Sequence, residues 1–123
     1  RLAAQYPEVE VYIDLHRDSS IAGVSTRLTT DQGSFARMML VVGTDENLPH
    51  PDWRQNYAFA QQVSAEADRI QPGIMREPRL YSGRYNQHIA KKALLVEVGS
   101  TDNDLDEAKR SAEILAQAIV NCM

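Results

Sequence analysis

The chain has 123 residues, 43% of them hydrophobic and 24% charged, with a formal net charge of -4. That length suits one domain, residues 1–123, with a real core. The acidic balance excludes a broad electrostatic grip on nucleic acid or anionic lipid, and no run approaches the ~20 apolar residues of a membrane span.

The first residue is Arg1 rather than Met, so the sequence reads as a processed form or an excised piece. Arg1 to Pro7 reads as the last turns of a helix, stopped by Pro7. A helix that leads into a strand usually follows another strand in an alternating architecture, so the domain is expected to begin upstream. Val9, Val11, Ile13 and Leu15 alternate with Glu10, Tyr12 and Asp14, which predicts a strand with a buried face. His16 follows at the point where that strand would leave the sheet.

Arg17 to Gln32 is rich in Ser, Thr, Asp and Gly and reads as a loop, with a hairpin over Val24 to Thr30. Arg37 to Val42, ended by Gly43, predicts a short strand covered on both faces. Gly43 to Asp52 holds two prolines and reads as a loop. Trp53 to Ile70 predicts a helix, with Asp52 as N-cap, Gln55 reaching back, and Phe59, Val63, Ala67 and Ile70 as its apolar stripe. Trp53 reads as a core anchor rather than a sugar platform. Pro72 and Gly73 end that helix, and Arg79 to Ser82 is a short edge strand. Gly83 to Lys92 is a polar loop. Ala93 to Gly99 is an apolar run broken only by Glu97. Asp104 and Glu107 form a capping signature for a last helix, with Leu105, Ala108, Ala112, Leu115, Ala116 and Ile119 as its buried stripe. The pattern is α/β: a mostly parallel sheet covered by helices.

His16 and Glu97 are the residues that draw chemistry. In parallel sheets, ligands bind beyond the carboxyl ends of the strands. A carboxylate inside L-L-V-E-V-G is desolvated and needs a cation, a metal or a raised pKa. Three readings stand at this point. The pair can be structural, each group satisfied by a neighbour. It can be half of a metal site, with His16 as ligand and Glu97 as the base that deprotonates water. Or a histidine can serve Ser19, Ser20 or Ser100 as nucleophile, although no G-x-S-x-G elbow is present. The three histidines, His16, His50 and His88, have no diagnostic metal spacing. Cys122 is the lone cysteine, and a terminal thiol without a partner reads as inert.

Four motifs occur here in one order: D-L-H-R-D at Asp14 to Asp18, P-D-W-R-Q-N-Y-A-F-A at Pro51 to Ala60, G-R-Y-N-Q at Gly83 to Gln87, and L-L-V-E-V-G-S at Leu94 to Ser100 leading to E-A-K-R-S-A at Glu107 to Ala112. Together they resemble the catalytic domain of the stage II sporulation protein P family, which groups with zinc-dependent N-acetylmuramoyl-L-alanine amidases. The resemblance runs essentially from end to end. It implies an amidase-like α/β fold, a single zinc ion, and peptidoglycan cut between the muramic lactyl group and the first L-alanine of the stem peptide. It implies an extracytoplasmic address, facing the cell wall or membrane-associated, and work in sporulation beside a second cell-wall hydrolase.

Carried over by residue, His16 matches a zinc ligand and Glu97 the catalytic glutamate. The family's other ligands, a histidine and a glutamate, lie upstream of D-L-H-R and have no counterpart here. From their place in the chain, Arg84 and Asn86 can bind substrate, or Arg84 can neutralise Glu97 or Asp14; Arg17 and Asp18 can support the ligand or form a surface ion pair. The alternative is a non-catalytic α/β module that binds peptidoglycan or a partner hydrolase. A sheet lacking its first strand would expose an edge, so self-association is also expected.

Overall fold

The computed structural model describes residues 2–20, 22–83, 87 and 92–123. Helix α1 (Leu2–Gln5) leads to strand β1 (Tyr12–Asp18). A hairpin follows, β2 (Arg27–Thr30) with β3 (Gly33–Ala36), and then β4 (Met38–Gly43), α2 (Trp53–Ile70), β5 (Arg79–Tyr81), β6 (Ala93–Ser100) and α3 (Leu105–Cys122). The main sheet has the order β1-β6-β4-β5, and the hairpin forms its own antiparallel pair. β1 runs parallel to β6 and β4 parallel to β5, while β4 and β6 are antiparallel. The sheet is therefore mostly parallel, as the alternation of strands and helices implies.

Helices α2 and α3 pack on one face. Phe59, Val63 and Ala67 of α2 and Leu115, Ala118 and Ile119 of α3 meet Met38, Leu40, Val42, Leu94 and Val96 in a single core. Leu40, Val42 and Val96 are wholly buried, and each such side chain contributes about 1.5–3 kcal/mol. Met39, Val41 and Leu95 form a smaller apolar cluster on the other face. β4 is buried along its whole length, as a strand covered on both sides must be.

Several expectations shift. β1 begins at Tyr12 rather than Val9 and runs through His16 to Asp18, so His16 lies within the strand. Ile13 and Leu15 are 44% and 60% exposed, because β1 is an edge of the described sheet. The carboxylate of Asp52 makes no cap bond: its backbone has ψ 15°, a turn rather than the extended geometry a side-chain cap needs. The first turn of α2 is tied down by Asn56 instead. Its Oδ1 accepts from Ala93 N at 3.1 Å and its Nδ2 donates to Gln87 O at 3.0 Å.

The capping box of α3 forms as its sequence predicts, with Glu107 N donating to Asp104 and Asp104 N donating to Glu107. The stripe of α3 is rotated, however. Leu105 is 67% exposed, while Glu107 and Ser111 are buried. Arg27 Nε donates to Glu107 Oε2 at 2.6 Å, and Ser111 Oγ donates to Ala36 O at 2.6 Å. Polar partners on the hairpin make these buried positions affordable.

Candidate functional site

β1 and β6 bring the two expected groups together. His16 and Glu97 are Cα partners in the parallel pair, and Met39 is the partner of Glu97 on the other side. Side chains in register on neighbouring strands share a face. His16, Glu97 and Met39 therefore form a row across three strands, on the face opposite α2 and α3. Asp14 lies on the same face by the period of two.

The pairing slips immediately afterwards. His16 faces Glu97, yet Asp18 faces Ser100, so β6 carries one more residue than β1 over this stretch. Gly99 absorbs it at φ +67°, a left-handed conformation that glycine adopts without penalty. Asn103 locks the turn: its Oδ1 accepts from Ser100 N at 2.9 Å and its Nδ2 donates to Thr26 O at 3.0 Å. Thr101 N donates to Asp18 O at 3.0 Å, and Ser20 Oγ donates to Asp102 at 2.7 Å. The chain after His16 is thus pinned to the chain after Glu97.

Glu97 is half-buried, and its Oε2 is enclosed with no hydrogen-bond partner among the described residues. Burial pushes its carboxyl above the usual range and the charge of Asp18 adds to this; His16 and Arg76 pull it back, and Asp14 raises it further. His16 is exposed, with Nε2 at 3.0 Å from Asp14 Oδ1. A carboxylate on one ring nitrogen fixes the imidazole and leaves Nδ1 to face a ligand.

The residues that would support His16 are placed differently from expectation. Asp14 touches the imidazole. Asp18 lies 3.9 Å from Arg76 Nη1 and acts on Glu97 by charge. Arg17 lines an apolar hollow with Leu15, Val98, Leu105 and Ala108 beside α3. Asp14 was legible in principle, since two residues along a strand return to the same face. Arg76 was not, because only tertiary structure brings it here. Arg84 and Asn86 lie outside the described residues, as does His88. Their loop is represented by buried Gln87, whose Oε1 accepts from Gly43 N and whose Nε2 donates to Val41 O, both at 2.8 Å. His50 is buried beside Asn56, near the amino end of β6 rather than beside Glu97. Ser100 Oγ bonds the Thr26 hydroxyl and accepts from Asp102 N, and Ser20 Oγ bonds the Thr101 hydroxyl and donates to the Asp102 carboxylate, so both serines are occupied.

No group of three or more His, Cys, Asp or Glu among the described residues is arranged to hold a metal ion. The site fits such an ion in part. It offers one exposed imidazole and, beside it, an enclosed carboxylate oxygen that lacks a donor. The remaining ligands of a full set of three are not among the described residues.

The architecture defines a class first: it is the α/β fold seen in the crystal structure of the apo form of the N-acetylmuramyl-L-alanine amidase Ami1 from Mycobacterium abscessus. The TM-score is 0.60 at 14% sequence identity, covering 96% of this chain and 57% of that chain. The family is narrower. The sequence profile of Stage II sporulation protein P (SpoIIP) matches residues 1–120. Stage II sporulation protein P of Bacillus subtilis (strain 168) is 31% identical over 120 residues, 92% of this chain and 28% of that protein. The chain belongs to the stage II sporulation protein P family, and it spans little more than a quarter of that relative's length.

Proposed function

We propose that this chain is part of the catalytic domain of a zinc-dependent peptidoglycan amidase that remodels the cell wall in sporulation, cutting between N-acetylmuramic acid and L-alanine. One observation carries the reading: Glu97, with a buried oxygen that lacks a partner, stands in register with His16 on one open face. Family membership and the shared fold support it. The substrate lies outside the cytoplasmic membrane, and the full-length protein would act there.

In this reading His16 is one zinc ligand, completed by donors outside the described residues. A zinc ion held there would supply an acidified water and polarisation of the scissile carbonyl. Glu97 takes the proton from the attacking water and passes it to the amine of L-alanine as the C–N bond breaks. Burial suits Glu97 to this work, since a raised pKa makes the carboxylate a stronger proton acceptor near neutral pH. Asp14 holds the imidazole, and the pinned turn after Gly99 holds the backbone on which Glu97 stands.

The test uses the full-length gene product and muropeptides, with released stem peptide followed by mass spectrometry and zinc content by elemental analysis. Glu97→Gln should lower cleavage by about 10²–10⁴-fold, the usual worth of a general base, with zinc retained. His16→Ala should lose zinc. Cleavage left intact in Glu97→Gln would remove that residue from the mechanism. The incomplete donor set among the described residues favours one other reading, a module that binds peptidoglycan or a partner hydrolase without cutting. A full-length protein that binds sacculi but holds no zinc and releases no stem peptide would establish it.

A further inference from the structure

Arg76 reaches the Glu97 face from the far side of β4. Met75 forms a single parallel bridge with Met38, and Arg76 N donates to Met38 O at 2.7 Å. Successive side chains in extended backbone point to opposite faces. Met75 accordingly enters the helix-side core, and Arg76 emerges beside Met39, the register partner of Glu97. The guanidinium then crosses toward β1, ending 3.9 Å from Asp18. That is a charge contact beyond hydrogen-bond range. The Arg76 side chain is only 13% exposed, yet none of its N–H donors makes a hydrogen bond within the described residues.

Arg79 stands nearby on the same face, because it is the Cα partner of Val41, itself the partner of Leu95. Arg76 and Arg79 line one open cavity of about 200 Å³ with Met39, Glu77 and Pro78. The two guanidinium groups stand here against Glu77 in the hollow and Asp18 at the tip of Arg76. A planar fork of N–H donors with no hydrogen bond among the described residues matches a carboxylate ligand.

We infer that Arg76, flanked by Arg79, forms a subsite for a carboxylate carried by the peptide on the leaving-group side of the bond that is cut. The inference rests on the peptidoglycan reading for the identity of that peptide. An extended peptide advances about 3.3–3.6 Å per residue. The free α-carboxylate of the second, acidic residue of a stem peptide thus lies about 7 Å from the scissile amide. A bond held over Glu97 therefore leaves that carboxylate within reach of the Arg76 guanidinium, which ends beside Asp18, two residues along β1 from the register partner of Glu97. The subsite would select stem peptides whose second residue keeps its charge over those in which it is amidated.

The experiment compares two muramyl peptides, one with the free α-carboxylate at the second residue and one with the α-amide, on the full-length protein. Cleavage gives KM and kcat, and calorimetric titration of the Glu97→Gln protein gives Kd without turnover. Wild type should favour the acid by about 10-fold or more, the worth of a hydrogen-bonded charge pair. Arg76→Gln should bring the acid-to-amide ratio near one, through KM rather than kcat, Arg76→Lys should restore part of it, and Arg79→Gln should lose less. An unchanged ratio in Arg76→Gln overturns the subsite. So does equal weakening of both peptides, which marks Arg76 as a structural partner of Asp18. If nothing is cleaved, the titration decides alone. Acid preference that depends on Arg76 upholds the subsite while the amidase reading falls, and indifferent binding sinks the subsite.

Discussion

Replacing Gly99 by alanine probes the turn that fixes Glu97, two residues before it. Gly99 has φ +67°, and an added Cβ would collide with Asn103 Oδ1 and come to 2.8 Å from Ala36 Cβ. Asn103 cannot swing aside freely, since its amide bonds Ser100 N and Thr26 O. The left-handed backbone costs an alanine about 1–2 kcal/mol. Losing the bond to Ser100 N adds about 1 kcal/mol. Pressing on β3 through Ala36 adds about 1–3 kcal/mol, the usual penalty of overpacking. A destabilisation of about 3–6 kcal/mol follows, a large share of the ~5–15 kcal/mol that holds a domain folded. For a chain of this size it lowers Tm by about 10–30 °C. Thermal and urea unfolding followed by circular dichroism measure it. Asn103→Ala in the same chain should relieve part of the loss, because the two side chains compete for one space. A Gly99→Ala midpoint within ~2 °C of wild type would refute the reasoning.

Three other outcomes are expected. In metal-free protein, burial holds the folded pKa of Glu97 above its unfolded value, so the fold binds the extra proton and stability falls as pH rises from the unfolded value through the folded one; Glu97→Gln should be the more stable form at pH 7 and match wild type below the ordinary carboxylate range, and urea midpoints that stay parallel across pH would exclude this. The carboxyl of Glu107 is held low, chiefly by its hydrogen bond from Arg27, so its contribution is present above the ordinary carboxylate range and is lost as pH falls through the folded value. Glu107→Gln should cost about 1–3 kcal/mol at neutral pH, with the difference closing in acid; a pH-independent loss would assign Glu107 to packing alone. Finally, Ile13 and Leu15 on the open edge of β1 predict that the chain self-associates. Light scattering should give a mass that grows with concentration and collapses to monomer in Leu15→Asp, whereas a clean monomer in wild type at high concentration would end the idea.

Long periodic segments were legible in the sequence. The limits of α2 are those its apolar spacing implies, and α3 begins at the cap its D-L-D-E spelling announces. β6 is the apolar run around Glu97. Failures came where burial depends on partners far along the chain. Apolar periodicity assigned Leu105 to the core of α3, but the helix turns Glu107 and Ser111 inward because Arg27 and Ala36, some 75 to 80 residues earlier, satisfy them. Arg76 carries no local sign of its place beside Glu97. That place follows from one bridge between Met38 and Met75.

β1 explains both why the meeting of His16 and Glu97 could be anticipated and why their surroundings could not. Its alternation looked like one buried face and one wet face. Instead the polar set, Asp14 and His16, points to the Glu97 side, while Ile13 and Leu15 point to the helix side and stay open at the edge. A strand of this kind writes two surfaces at once. The polar one carries the imidazole proposed above as a zinc ligand, and the apolar one flanks a hollow with Val98, Leu105, Ala108 and Ala112. The two are mechanically joined, because any element that seats against Leu15 bears on the same backbone that carries His16. Covering the apolar side should therefore stiffen the imidazole opposite Glu97. Leu15→Ala in the full-length protein is expected to weaken zinc binding without touching a ligand, and His16→Ala to leave the apolar contact intact.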